Sequence, residues 1–228
     1  LYDGDLKLNK DATDAFGRPG SKWTYNNDTV GIYSDEANAT YTASVKSKEI
    51  YSDLGLSEST TASVIVDGES NGTFSIAKNS TTKIGGNGVL VEAFVDDDDN
   101  VTLVEINTYV GEVTSVYEDA DEPYSVISGI SGNGGQYETT AFEEDDIVLY
   151  TYADGEIQSV ALADKVGGAE VTSTSKSGST YTALKADGTS YDMAEKYELD
   201  SDLSNSIATE TSYDLYLDAY GYVIYVGY

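Results

Sequence analysis

The chain has no cysteine and no histidine, two prolines, one tryptophan and one methionine, and it sets 12 basic side chains against 41 acidic ones over 228 residues. Each scarcity excludes something. Without cysteine there is no disulfide framework and no thiolate zinc site, and stability is indifferent to redox state. Without histidine the commonest general base and metal ligand is missing, and a serine nucleophile has no imidazole partner. A net charge of −29 cannot neutralise phosphates, so nucleic acid and anionic membrane are excluded as partners. No apolar stretch approaches the ~20 residues that a membrane helix needs, the longest being Tyr222–Val226, so no membrane insertion is expected of this segment. The opening Leu1-Tyr2-Asp3-Gly4-Asp5 has neither a basic n-region nor an apolar core, so it does not read as a signal peptide. A chain that starts without Met reads as a segment of something longer.

What is present is tyrosine, 20 residues of it, with 4 Phe and 39% apolar residues overall, enough to build a core despite the charge. The pattern is that of short strands. Trp23 and Tyr25 alternate with polar Thr24, and Tyr41–Lys46 alternates too. Ser63–Val66 leads into the turn Asp67-Gly68, and Thr73–Ala77 follows a second expected turn at Asn71-Gly72. Val89–Val95 and Val101–Val116 flank Asp96-Asp97-Asp98-Asp99-Asn100 and read as one long hairpin, 89–118, with Gly111 marking a bulge or bend. Helix is scarce: Ile50–Leu56 reads as one turn closed by glycine, and Ala194–Leu199 and Ser201–Ser204 as a turn or two.

The acidic, Pro-terminated stretch Glu118–Pro123 breaks the pattern and is read as a domain boundary. Beyond it, Ile147–Tyr152 and Ile157–Val166 join over Ala153-Asp154-Gly155-Glu156, and Val171–Thr174, Tyr181–Leu184 and Ser190–Met193 are separated by Ser-Gly and Asp-Gly turns. Tyr213–Leu217 and Tyr222–Val226 close a last hairpin over Asp218-Ala219-Tyr220-Gly221. The expectation is an all-β chain of two small antiparallel domains, barrel- or sandwich-like. Residues 1–122 would form an N-terminal β domain with the long hairpin, and 123–228 a C-terminal small barrel or sandwich.

Several stretches belong together: Asp14–Tyr25, Ile50–Leu56, Val104–Val113, Asp146–Thr151 with Gly155–Val160, and Tyr213–Tyr225. In this order they resemble the β-rich region of large secreted surface proteins of Gram-positive, Clostridia-like gut bacteria, which carry S-layer homology domains elsewhere in the chain. The resemblance implies a secreted protein of the cell surface and cell wall, anchored by modules that bind wall polysaccharide. Those helical modules have no match in this segment, so no anchoring residue carries over, and no enzymatic activity comes with the region. The partners it implies are other surface-layer subunits or cell-wall glycan.

Three groups of side chains are candidates for chemistry. Glu143-Glu144-Asp145-Asp146 is the densest carboxylate cluster near a strand start, and it reads either as a glycosidase-type pair or as a solvated strand entry. The solvated entry is preferred, so no enzyme is expected. Asp96, Asp97, Asp98 and Asp99 offer hard oxygen ligands of the kind Ca²⁺ takes 6–8 of, but they lack the alternating Asp spacing and the terminal bidentate Glu of a calcium loop; the rival reading is a solvated hairpin tip. Calcium is the only cofactor considered. Tyr213, Leu215 and Leu217 share one strand face while Tyr216 takes the other between Asp214 and Asp218. Tyr216, Tyr220, Tyr222 and Tyr225 are therefore candidates for holding a glycan or a protein, against the alternative of cross-strand packing. The expected function is a non-catalytic structural segment of a surface-layer-type protein, with a glycan- or protein-binding module as the alternative.

Overall fold

A computed structural model describes residues 5–228; Leu1–Gly4, on which most of the signal-peptide reading rests, lie outside the described residues. The fold is all-β and divides into two compact units, residues 1–85 with 90–106, and 86–89 with 107–228.

The first unit opens with an antiparallel meander, β1 (Leu6–Thr13), β2 (Pro19–Tyr25) and β3 (Asp28–Ser34). Its β1–β2 turn is pinned to the rest of the unit. Arg18 Nε donates to Glu92 Oε1 at 2.6 Å, and Phe16 packs against buried Phe94, Val104 and Ile106. Next come β4 (Ala39–Tyr41), β5 (Val45–Lys46), α1 (Ser47–Asp53), β6 (Thr60–Val66), β7 (Glu69–Ile76), β8 (Lys83–Ile84), β9 (Leu90–Val95) and β10 (Val101–Ile106). Five of these strands form a sheet in the order β4-β9-β10-β6-β7, with β10 and β6 parallel, while β5 and β8 pair separately. The inward residues Ala62, Val64, Ala93 and Leu103 bury α1's Ile50 beneath them. The helix expected over Ile50–Leu56 starts three residues earlier and ends before Gly55, which turns at φ +64°.

The second unit contains β11 (Tyr109–Tyr117), β12 (Tyr124–Gly129), β13 (Gly135–Tyr137), β14 (Ile147–Ala153) and β15 (Glu156–Leu162), paired as β13-β12-β11-β14-β15. It continues with β16 (Asp164–Ser177), β17 (Thr180–Ala186), β18 (Thr189–Leu199), a 3₁₀ turn at Ser201–Leu203, β19 (Thr211–Leu217) and β20 (Val223–Gly227). These five strands close into a barrel in the order β16-β17-β18-β20-β19, with β18 and β20 parallel. Closure removes free edges. The barrel is filled by Val171, Tyr181, Leu184, Met193, Tyr213, Leu215, Val223 and Val226, all nearly inaccessible.

Several local expectations are corrected. The hairpin stops at Ile106: β9 and β10 pair across the Asp96–Asn100 tip, but Tyr109–Tyr117 pairs with β12 and β14 instead. The boundary between compact units thus falls after Ile106, not at 122. Asn71-Gly72 is not a turn; β7 runs through it with a bulge opposite Ser63–Ile65, which Gly72 at φ +74° permits. Ala194–Leu199 is strand, because barrel pairing overrides its helix-favouring composition. In β11 the register shift falls at Thr114 rather than at Gly111. Gly111 serves close packing, since a Cβ there would sit 2.7 Å from the Ser128 carbonyl and 3.0 Å from the Tyr150 ring.

Candidate functional site

The acidic hairpin tip is built around Asp96. Its Oδ1 accepts the N–H groups of Asp98 and Asn100, each at 2.9 Å, and its Oδ2 accepts the Asn100 side-chain amide at 3.1 Å. These donors hold the Asp96 carboxyl below its ordinary pKa. Asp97, Asp98 and Asp99 are exposed around the turn, with Asp99 at φ +60°. The oxygens of Asp96 thus close the hairpin turn. Among the described residues no group of three or more Asp and Glu side chains is placed to hold a metal ion.

The four candidate tyrosines divide. Tyr216 and Tyr225 are cross-strand partners on β19 and β20 with ring centroids 5.6 Å apart, and together with Tyr222 they pack on Val110, Leu149, Ala163, Ala194 and Ile224. Tyr220 stands apart on the turn, 46% exposed. Lys165 lies over the Tyr216 ring at 5.9 Å and pairs with Asp214 at 3.5 Å. Burial raises the Tyr225 hydroxyl's pKa, and the charge of Asp200 and a hydrogen bond to it push the same way; Tyr216 is raised mainly by burial. Glu112 borders this layer, its pKa raised by burial first and then by Asp145, with which it shares a hydrogen bond. The result is a tyrosine layer rimmed by Glu112, Asp145 and Asp200. Sequence reading missed that rim, because the three acids come from segments far apart in the chain.

Below the turn lies Asp218, 2% exposed. Its Oδ1 accepts the N–H groups of Tyr220 at 2.9 Å and Tyr222 at 3.0 Å, while Oδ2 is buried without a partner. Oδ2 abuts Gly88, where a Cβ would overlap it and where φ is +81°. The space they close, lined also by Asn87, Thr108 and Lys196, has no room for a water molecule. Burial raises the Asp218 pKa against the lowering effect of the N–H donors.

In the loop before β14, Asp146 Oδ2 accepts the Glu143 N–H at 2.9 Å. Three Ser-x-x-Lys spacings also occur, Ser75 with Lys78, Ser80 with Lys83 and Ser173 with Lys176. All three lie on or beside extended strands, where residues three apart do not share a face as they would on a helix. Lys176 instead covers the Tyr181 ring at 4.4 Å. A polar groove of about 620 Å³ opens between Glu122, Tyr124, Gln136, Tyr137 and Glu156–Gln158. No helix among the described residues is long and apolar enough to cross a membrane. No protein-family model matches the chain, and no curated protein is similar to it.

Proposed function

We propose that the chain is a non-catalytic structural segment of a secreted, cell-wall-associated surface-layer-type protein. The observation that carries this reading is the way polar chemistry is used. Asp96 caps a hairpin, Asp146 a loop, Asp218 a turn, and Tyr216 and Tyr225 face each other, so the prominent carboxylates and rings serve the β framework itself. Main-chain ladders in two compact units tie distant segments together, and the excess carboxylates keep the surface soluble. In this reading the chain performs no reaction and meets other surface-layer subunits.

The second reading is a binding module for cell-wall glycan. It is favoured by the groove, whose two tyrosines, Tyr124 and Tyr137, stand among amides and carboxylates, and whose volume lies in the range of ligand pockets. Pull-down with purified wall polysaccharide separates the two. Retention lost on Tyr137→Ala supports the glycan module, whereas no retention together with concentration-dependent assembly supports the structural segment.

A further inference from the structure

Resting on the building-block reading, we infer that the outer edge of β3 is a self-association edge, at which two copies of this chain pair antiparallel about Ile32 into one six-stranded sheet. The β1–β3 meander is a single layer, and outside its pinned turn both strand edges and both faces are open. Of the nine large apolar side chains exposed among the described residues, five lie here: Leu6, Leu8, Val30, Ile32 and Tyr33. A single-layer sheet that leaves apolar residues in water on both faces is incomplete.

The other edges are blunted or faced by another strand. The β1 edge carries Lys7 and Lys10, β4 and β13 are three residues long, and β7 starts at Glu69 and runs through polar residues. β15 is faced across the groove by β13, whose Tyr137 hydroxyl donates to the Gln158 carbonyl at 3.5 Å, and the barrel has no edge. β3 has no Lys, Arg or Pro and only Asp28, at its first position, as a charge, and unlike β7 it exposes the large apolar side chains Val30, Ile32 and Tyr33. The occupant follows from charge. Residues 1–34 hold four basic side chains against five acidic ones, whereas the rest of the chain holds eight against thirty-six. Two copies repel over every other surface and meet at least cost here.

The strand is also complementary to itself. Pairing Ile32 with Ile32 of the second copy sets Tyr33 opposite that copy's Gly31. Within one chain the Tyr33 ring already leans over Gly31, 3.2 Å from where a Cβ would stand. An aromatic ring over a strand glycine covers backbone that is otherwise wet.

Sedimentation velocity of the 228-residue chain over a range of concentration and salt tests this. The expected result is a dimer strengthened by salt, which screens the charge of −29 per copy, and weakened at least tenfold by Ile32→Lys and by Val30→Lys, with the circular dichroism unchanged. Leu162→Lys, an exposed apolar residue outside this sheet, leaves the dimer intact. A dimer indifferent to both β3 variants, or a strict monomer, overturns the edge; so does quenching of Trp23 fluorescence by wall polysaccharide without dimerisation, which assigns the meander to a glycan. Electron microscopy of the same samples keeps the two ideas apart. Lattices that persist in Ile32→Lys preserve the building block and overturn the edge, while dimers that never form larger assemblies preserve the edge and overturn the building block.

Discussion

Tyrosine fills space in this chain that leucine and phenylalanine fill elsewhere, and every buried hydroxyl then needs a partner. Three find one in the barrel. The hydroxyls of Tyr181, Tyr197 and Tyr213 accept the N–H groups of Ile207, Tyr181 and Ala208 at 2.8–2.9 Å, and the first and last of these tie down the segment before β19. Tyr150 differs: its hydroxyl is buried with no partner, and burial pushes its pKa up to about 12. Tyr150→Phe is therefore expected to be neutral or to stabilise by up to about 1 kcal/mol, while Tyr181→Phe strands the Ile207 N–H and costs about 1–3 kcal/mol, both read from urea titrations. Asp218 supplies a pH dependence. Burial holds its folded pKa above the unfolded value, so its ionisation opposes folding. The associated stability is complete below the ordinary aspartate pKa, about 4, and is lost as pH rises through the raised folded value. Glu112 and Glu198 act in the same direction. Melting temperature should fall with pH over that window, and Asp218→Asn, which keeps the acceptor for Tyr220 and Tyr222, should flatten the fall; an unchanged slope contradicts the assignment.

At the scale of elements, the joint between α1 and β7 depends on one hydroxyl. Buried Ser47 donates to the Ser75 carbonyl at 2.8 Å and accepts the Ala77 N–H at 3.0 Å. Ser47→Ala should cost about 1–3 kcal/mol by leaving both backbone groups unpaired, with hydrogen exchange accelerated at Ala77 first. Elements governed by local chemistry were legible in the sequence. The Asp-Gly pairs at 67–68, 154–155 and 187–188 all take positive φ at both residues and turn hairpins as their composition predicts. The alternation of Tyr213, Leu215 and Leu217 against Tyr216 is likewise the inside and outside of the barrel wall. What no local signal marks is a change of partner. Asn107-Thr108 contains neither Gly nor Pro, yet there the chain leaves β10 and β11 enters another sheet. The same holds for Asp218 against Gly88, and for Glu112 with Asp145 and Asp200, juxtapositions made only by strand order.

At the scale of the whole molecule, charge is the dominant fact. A surplus of 29 negative charges at pH 7 favours solubility and opposes compaction and contact between copies, and mobile ions relieve both effects. Stability and assembly are thus expected to rise together with ionic strength, without a requirement for one particular cation; calcium that raises the melting temperature no more than matched ionic strength agrees with a solvated Asp96–Asp99 tip. We propose that this chain builds a coat by sheet contacts rather than by transforming a ligand. Negative-stain electron microscopy of the purified chain, concentrated at raised ionic strength, tests it most directly. Ordered sheets or filaments that dissolve on return to low salt are the predicted result, and dispersed single particles at every concentration and salt would contradict it.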